Sequence, residues 1–491
     1  MPLFGPPDVE ALKTKGDIPG LIRALRYQAA SYEHMRLRQA AVLALAQIGG
    51  PRAVDPLIEA FKDVSPDVRI AAIGGLGDIG DARAVGPLIA RQERATGPES
   101  DAIARSLVKI GAPAVEPLIA GLRHERRSTR EFASEVLGKI GDPRAVGALV
   151  ATLRDWEHWV RQRAAEALVR IGASAVEPLA ALLAGEGTCE VYEPAAAALD
   201  RLGWQPDSAT PRARAAYWVA KKWLERCVEV GAAALEPLAA ALQSTDEQVR
   251  RRAAEVLGRL GDPRAAELLL GYLRRVGQWA LADFQQSGLM GCLPAIRATM
   301  LFRKEAPLGA LVSTGAAAVP PLIGALEDSN WIVRMGAVEA LGEIGDPRAA
   351  APLVYRLGDP SEDVRAAAAR ALGKTGDAGA VSPLTAALKD PGGSVASGAA
   401  EALGRLGQRA EEAIPALVQA MSAGDCYLRR SAATALGGMG DGARESLPAL
   451  VAALGDEVDE VRKAAAMALE AITGQTYGED ASGWSQWLEA R

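Results

Sequence analysis

The sequence predicts an all-α protein of the α-solenoid class, in which short two-helix units are repeated along the chain. The first observation is a recurring phrase: "VRRRAAEVLGRLGDPRAAELL" begins at Val249, and close copies begin at Val333 and Val364. The second is composition, because 49% of the 491 residues are hydrophobic but only 4% are aromatic. Small apolar side chains favour helices that pack closely on one another over a single thick core.

Glycines set the period of the repeat. They end an "LGxIG"-like phrase at Gly49, Gly80, Gly111, Gly141, Gly172, Gly203, Gly231, Gly261, Gly291, Gly315, Gly345, Gly376, Gly407 and Gly440. A degenerate last copy ends near Thr473. Most steps are 30 or 31 residues. The sequence therefore predicts about fifteen units over nearly the whole chain.

The first helix of each unit is predicted to be amphipathic. In "VRQRAAEALVRI" the apolar stripe consists of Val160, Ala164, Leu168 and Ile171. The opposite face carries an acid-to-base pair four residues apart, which supports a solvated helix surface. Such pairs are Glu135/Lys139, Glu166/Arg170, Glu255/Arg259 and Glu401/Arg405. These carboxylates are therefore interpreted as surface support rather than as catalytic groups.

Glycine then ends the first helix, because it adopts the left-handed conformation without a Cβ clash. In "GDPR" the aspartate is predicted to cap the second helix and the proline to fit its first turn. In "AVEPLIAGL" we expect Pro117 to bend the second helix from within.

This phrasing resembles the HEAT-repeat family, specifically the short bacterial and archaeal variety first noted in phycobilin lyases, over essentially the whole chain. The resemblance implies a turn aspartate and an arginine six residues later that form a ladder between neighbouring units. That spacing occurs at Asp63/Arg69, Asp155/Arg161, Asp328/Arg334, Asp359/Arg365 and Asp456/Arg462, and it lapses at His124, Ser244 and Ala396. The resemblance also implies that first helices line the convex side and second helices the concave side.

The two ends of the array need segments that cover their apolar faces. "VEALKTKGDIPGLIRAL", from Val9 to Leu25, is predicted to do so at the N-terminal end. "WSQWLEAR", with Trp484 and Trp487, is predicted to do so at the C-terminal end.

Composition divides the chain into three segments. Residues 1–200 are regular repeats with a net charge of −2, residues 201–310 are irregular, aromatic-rich repeats with +5, and residues 311–491 are regular repeats with −9. Function on repeat arrays concentrates where units depart from consensus. The middle segment is therefore one candidate partner surface, although its aromatic residues can instead fill gaps in irregular packing.

Candidate partner-binding residues are tryptophans and arginines, which dominate interface hot spots. Trp156 and Trp159 crowd the turn "DWEHWVRQR", and Trp331 occupies a similar turn. The remaining candidates lie in the middle segment: Trp218, Trp223, Arg251, Arg252 and Trp279.

No cofactor, metal or catalytic motif is predicted. "GLGDIG" at Gly75 to Gly80 has the letters of a dinucleotide loop, but it ends a helix and follows no strand. The three histidines lack metal-ligand spacing, and the four cysteines form no Cys-x-x-Cys. No apolar stretch is expected to reach the roughly 20 residues of a membrane helix, and no secretory signal is recognised.

The sequence thus favours a cytoplasmic, non-enzymatic scaffold or adaptor that binds a protein partner with an acidic, partly apolar surface on the concave face. One alternative is a bilin-lyase-like chaperone for a tetrapyrrole, on the strength of the resemblance. Another is a HEAT-like nucleic-acid glycosylase, which the basic middle segment favours and the net charge of −6 opposes. The identity of the partner and the oligomeric state are left open.

Overall fold

The computed structural model describes residues 7–27, 32–287 and 307–490, and it leaves out the side chains of residue 32 and residues 279–287. Within these ranges every regular element is a helix, which confirms the all-α class. The helices form two compact units, Met1–Ala240 and Ala241–Arg491. The border between these units coincides with neither of the compositional borders at residues 200 and 310.

In the first unit, α1 (Val9–Thr14) and α2 (Ile18–Leu25) precede a series of helix pairs. The pairs are α3 (Tyr32–Ile48) with α4 (Pro51–Glu59), α5 (Pro66–Ile79) with α6 (Val85–Gln92), α7 (Pro98–Ile110) with α8 (Val115–Gly121), α9 (Arg127–Ile140) with α10 (Val146–Thr152), α11 (His158–Ile171) with α12 (Val176–Ala184), and α13 (Cys189–Arg201) with α14 (Pro211–Ala220). A 3-10 run, Leu224–Ala234, leads into α15 (Leu235–Ala241).

The second unit begins with α16 (Glu247–Leu260) and α17 (Pro263–Ser287). Its further helices are α18 (residues 307–314), α19 (Val319–Ala325), α20 (Trp331–Ile344), α21 (Ala350–Arg356), α22 (Glu362–Thr375), α23 (Val381–Ala387), α24 (Gly393–Leu406), α25 (Ile414–Ala423), α26 (Cys426–Gly438), α27 (Leu447–Ala453), α28 (Asp459–Thr473) and α29 (Ala481–Glu489). Within each unit, consecutive first helices pack on one another, and so do consecutive second helices, giving two layers.

The glycine register is confirmed. Every register glycine that the structure describes has a positive φ, from 56° at Gly231 to 93° at Gly172, and Gly474 ends α28 with a φ of 71°. Gly291 lies outside the described residues. The period also predicts a turn before Gly291, but α17 continues without a break for 25 residues.

The aspartate of "GDPR" caps a short 3-10 turn, Pro143–Ala145, that leads into the second helix, so the cap lies one turn earlier than predicted. The N–H of Arg144 donates to Oδ1 of Asp142 at 2.9 Å, and the Arg144 guanidinium donates to the same carboxylate and to the carbonyl of Ala112 in the preceding pair. In the equivalent turn, hydrogen bonds from Arg348 lower the pKa of Asp346 to about 2. This turn therefore joins neighbouring pairs as well as capping the 3-10 turn that precedes a helix.

The predicted bend at Pro117 is wrong. A short 3-10 turn, Ala112–Ala114, precedes α8, so α8 starts at Val115 and Pro117 falls in its first turn. The N–H groups of a first turn have no intrahelical acceptor, so proline removes no hydrogen bond there.

Consecutive first helices approach through glycine. The glycines that make these contacts are Gly77, Gly138, Gly258, Gly342, Gly373, Gly404 and Gly437, each of which precedes a register glycine by three residues. A Cβ added at Gly373 would lie 2.7 Å from Cα of Ala402 in the next first helix. Any side chain at this position would push the two helices apart.

The Asp–Arg ladder is present, with more detail than its six-residue spacing implies. Arg334 donates to both carboxylate oxygens of Asp359 in the next pair, at 2.8 Å, and to the carbonyl of Asp328 in its own turn. Arg365 binds Asp390 in the same way. Each arginine therefore ties its own turn to the following one.

We expect the second unit to lose stability in acid because of these rungs. Burial raises the pKa of Asp359 and Asp390, but the arginine hydrogen bond, a backbone hydrogen bond and the arginine charge together outweigh it, so both pKa values lie below the usual 3.8. A lowered carboxylate pKa contributes stability above the unfolded-state value, and that stability is lost as pH falls through the folded-state value. Thermal melts below pH 3.8 should show the loss, and the Asp390→Asn variant should show less of it. Parallel losses in the variant and the parent would contradict this assignment.

One described segment, Pro307–Ala325, is apolar and long enough by composition to cross a membrane, with a mean hydropathy of 1.5. The expectation that no such stretch exists was therefore wrong. In the structure, Gly315 has a φ of 67° and starts a 3-10 turn, so the segment consists of α18 and α19. Leu311 and Leu322 are fully buried in the second unit.

The segment "WSQWLEAR" packs at the end of the second unit as predicted. α29 lies against α27, and Trp484 is fully buried with its Nε1 donating to the carbonyl of Gly478 at 2.9 Å. Val9 and Leu21, from α1 and α2, are buried in the first unit.

Candidate partner-binding site

The turn before α11 and the first turn of α11 each carry an exposed tryptophan. Trp156 is 75% exposed and Trp159 is 57% exposed. Hydrogen bonds fix the backbone of the turn. The N–H of Glu157 donates to Asp155, and the guanidinium of Arg161 donates to the carbonyls of Asp155 and Trp156. Both rings therefore stand on a rigid backbone.

Trp156 has a packing role on one face. The guanidinium of Arg130 lies 4.2 Å from the centre of its ring, in a cation–π contact, while the same guanidinium donates to Asp155 at 2.7 Å. Trp156 thus shields one ladder rung from water on one side and leaves its other side open.

Trp159 has no comparable role. Its ring makes an edge contact with the imidazole of His158, 5.5 Å between centres, and both side chains are exposed. A tryptophan that is mostly in water is a surface residue readily explained by binding.

Two candidate tryptophans of the middle segment, Trp218 and Trp223, differ in burial. Trp218 is 1% exposed on α14, and the guanidinium groups of Arg214 and Arg226 lie 5.5 and 4.9 Å from its ring centre. Trp223 is 47% exposed and packs edge-on against Tyr217. Trp218 therefore supports the irregular end of the first unit, and we leave it out of the proposed surface.

The remaining candidates lie in the second unit. Arg251 is exposed and pairs with Glu255 on the same helix at 3.4 Å, and Arg252 is also exposed. Trp331 is partly exposed at the start of α20. The side chain of Trp279 lies outside the described residues. Trp156 and Trp159 belong to the first unit, so they are considered separately from these residues.

Sequence reasoning missed a basic cluster one turn before the tryptophans. The run "RHERR", residues 123–127, forms the turn before α9, directly preceding the tryptophan turn. The net charge of −2 over residues 1–200 hides this local basic cluster, because acidic residues elsewhere in the segment offset it.

Two of the three cysteines that the structure describes, Cys189 and Cys227, are buried. Burial, reinforced by nearby glutamates, raises the pKa of Cys189 and Cys227 to about 12, so both thiols are protonated at neutral pH. Among the described residues no three histidine, cysteine or carboxylate side chains are grouped to hold a metal ion.

A family model described as HEAT repeats matches residues 18–108, 115–200, 205–281, 308–362, 350–425 and 414–482. The crystal structure of Kap121p is similar over 98% of this chain and 55% of that chain, with 13% identity and a TM-score of 0.43. Kap121p bound to RanGTP gives the same identity and TM-score over 54% of that chain. A structure of Kap95p with RanGDP gives 15% identity and a TM-score of 0.36 over 67% of that chain. The chain thus spans about half the length of Kap121p, and the likeness is one of fold alone. No curated protein matches the sequence.

Proposed function

Because the chain belongs to the HEAT-repeat family, we propose that it is a non-enzymatic scaffold that binds a protein partner on the surface of its stacked helices. The observation that carries the proposal is Trp159, which is 57% exposed in the first turn of α11. A cytoplasmic location is part of the same proposal.

A partner that covers Trp159 would gain binding free energy from the burial of its indole. Covering an exposed indole removes a large apolar area from water, and the rigid ring loses little conformational entropy when it is buried. The ladder beneath the turn already fixes its backbone, so binding need not order it. The protonated thiols of Cys189 and Cys227 fit a binding role better than a catalytic one.

The proposed partner-binding surface is not limited to the concave side. Trp156 and Trp159 lie at the turn leading into a first helix, whereas the family resemblance places partner binding on the second helices. We therefore propose that a partner contacts the turns of the first unit, with or without the second-helix layer.

Trp159→Ala is expected to weaken partner binding without altering stability. Loss of a central aromatic anchor typically costs about 2 kcal/mol of binding, roughly thirtyfold in Kd. An exposed substitution away from packing changes stability by about 0.5 kcal/mol or less. The test is affinity capture from the native host with quantitative mass spectrometry, followed by measurement of Kd for the captured protein.

The matched control is Tyr427→Ala, which removes a 64% exposed ring from the second unit. It should leave capture unchanged. If Trp159→Ala captures the same proteins with the same Kd, or if wild-type chain captures none specifically, the proposal fails.

A further inference from the structure

Three consecutive turns of the first unit form one basic and aromatic surface. We call it the arginine–tryptophan edge and define it by five residues: Arg94, Arg123, Arg154, Trp156 and Trp159. Arg94, Arg123, Arg154 and Trp156 belong to the turns before α7, α9 and α11, Trp159 is the second residue of α11, and all five are exposed.

Direct contacts show that these turns are neighbours. The guanidinium of Arg126 donates to the carbonyl of Glu93 at 3.2 Å, joining the first turn to the second. Arg130 donates to Asp155 at 2.7 Å, joining the second turn to the third.

The three arginines of this edge, Arg94, Arg123 and Arg154, have no hydrogen-bond or ion-pair partner among the described residues. The nearby arginines differ, since Arg127 pairs with Glu131 at 2.7 Å and Arg163 pairs with Glu166 at 3.1 Å.

A fourth guanidinium adds to the positive charge. Arg161 is 7% exposed, and its Nε has no hydrogen-bond acceptor. In the rungs of Arg130, Arg334 and Arg365 this atom donates to an aspartate of the next turn, but the carboxylate that pairs with Arg161 is Glu190 at 3.8 Å. The rung after the tryptophan turn is therefore incompletely compensated, which favours an anionic ligand alongside it.

Each of the three turns that carry the arginine–tryptophan edge also carries a carboxylate. Glu93 lies 3.6 Å from His124, Glu125 is exposed, and Glu157 lies 4.0 Å from Arg127. A polyphosphate chain would meet these negative charges at every turn. A peptide can instead place separate carboxylates against the unpaired arginines and apolar side chains against the tryptophans.

We propose that the arginine–tryptophan edge binds an extended acidic segment of a partner protein, in which Asp or Glu residues flank an apolar or aromatic residue. This rests on the proposed scaffold function and deepens it by naming the surface and the chemistry of the partner. Neighbouring helices pack about 10 Å apart, so three turns span about 20 Å. An extended peptide rises about 3.3 Å per residue, so about six to eight residues suffice.

The probe is a displayed library of random peptides of about twelve residues, long enough to overlap the edge at both ends. It is selected on the wild-type full chain. We expect the enriched peptides to be rich in Asp and Glu around a hydrophobic residue. Their affinity should fall at least about tenfold in Arg94→Glu/Arg123→Glu/Arg154→Glu and in Trp159→Ala, and it should fall as salt is raised.

The matched control is Arg52→Glu/Arg105→Glu/Arg201→Glu. These three arginines are also exposed in the first unit and lie off the edge. The control should leave peptide affinity within about twofold. Both triple variants should melt like the parent chain, because no substituted side chain is part of a ladder rung.

Other outcomes would contradict the location of the binding surface, the scaffold function or the peptide nature of the partner. Enriched peptides that bind both triple variants equally would remove the edge while leaving the scaffold function standing. No enriched peptide, together with no specific protein captured by the wild-type chain, would remove both. If a single-stranded oligothymidine of about 15 nucleotides binds more tightly than the best peptide and the edge triple abolishes that binding, the partner is a nucleic acid and the peptide proposal is wrong.

Discussion

Replacing Gly373 with valine is expected to lower the free energy of unfolding of the second unit by about 3 kcal/mol, at the upper end of the usual cost of overpacking. Gly373 on α22 faces Ala402 on α24, and an added Cβ would lie 2.7 Å from Cα and 2.9 Å from Cβ of Ala402. The clash involves backbone, which a side-chain rotation cannot relieve. The two helices must therefore separate and lose apolar contact.

The measurement is thermal unfolding combined with hydrogen exchange, since a long repeat array need not unfold in a single two-state step. Exchange should accelerate first in α22 and α24. Gly324→Val is the matched control, because Gly324 lies in α19 of the same unit and an added Cβ meets no atom within 4 Å. Equal melting temperatures for the two variants would show that close glycine contact is not what holds the first helices together.

Replacing Arg334 with methionine is expected to cost about 3 kcal/mol, because it removes one partner of a buried ion pair. The carboxylate of Asp359 has no exposed area and accepts two hydrogen bonds from Arg334. Without the guanidinium, Asp359 must either stay charged without its main partner or take up a proton. The variant should therefore melt earlier near neutral pH and approach the parent as the pH falls towards the pKa of Asp359.

The matched control is Arg348→Met, which breaks the exposed pair with Asp346 in the neighbouring turn. Exposed ion pairs are screened by water, so this variant should melt close to the parent. A second variant, Arg334→Met/Asp359→Leu, should recover part of the lost stability because it leaves no buried charge behind. An early-melting control with an unaffected Arg334→Met would reverse our assignment of the two pairs.

Much of this protein follows from the sequence alone. The register glycines determine where each first helix ends, because only glycine adopts a positive φ without strain, and that local rule needs no tertiary contact. The aspartate of "GDPR" caps the 3-10 turn before the next helix for the same local reason. Periodicity and turn chemistry act over a few residues, so a single chain displays them.

Other features depended on which surfaces meet. The sequence does not distinguish the first glycine of "LGxIG" from an ordinary helix glycine, and only the packing of α22 on α24 gives Gly373 its role. The same holds for the tryptophans. Trp218 and Trp159 both read as candidate anchors, yet one is 1% exposed and the other 57%. Burial is decided by the neighbours that the fold supplies, and in an irregular stretch of repeats the period no longer predicts those neighbours.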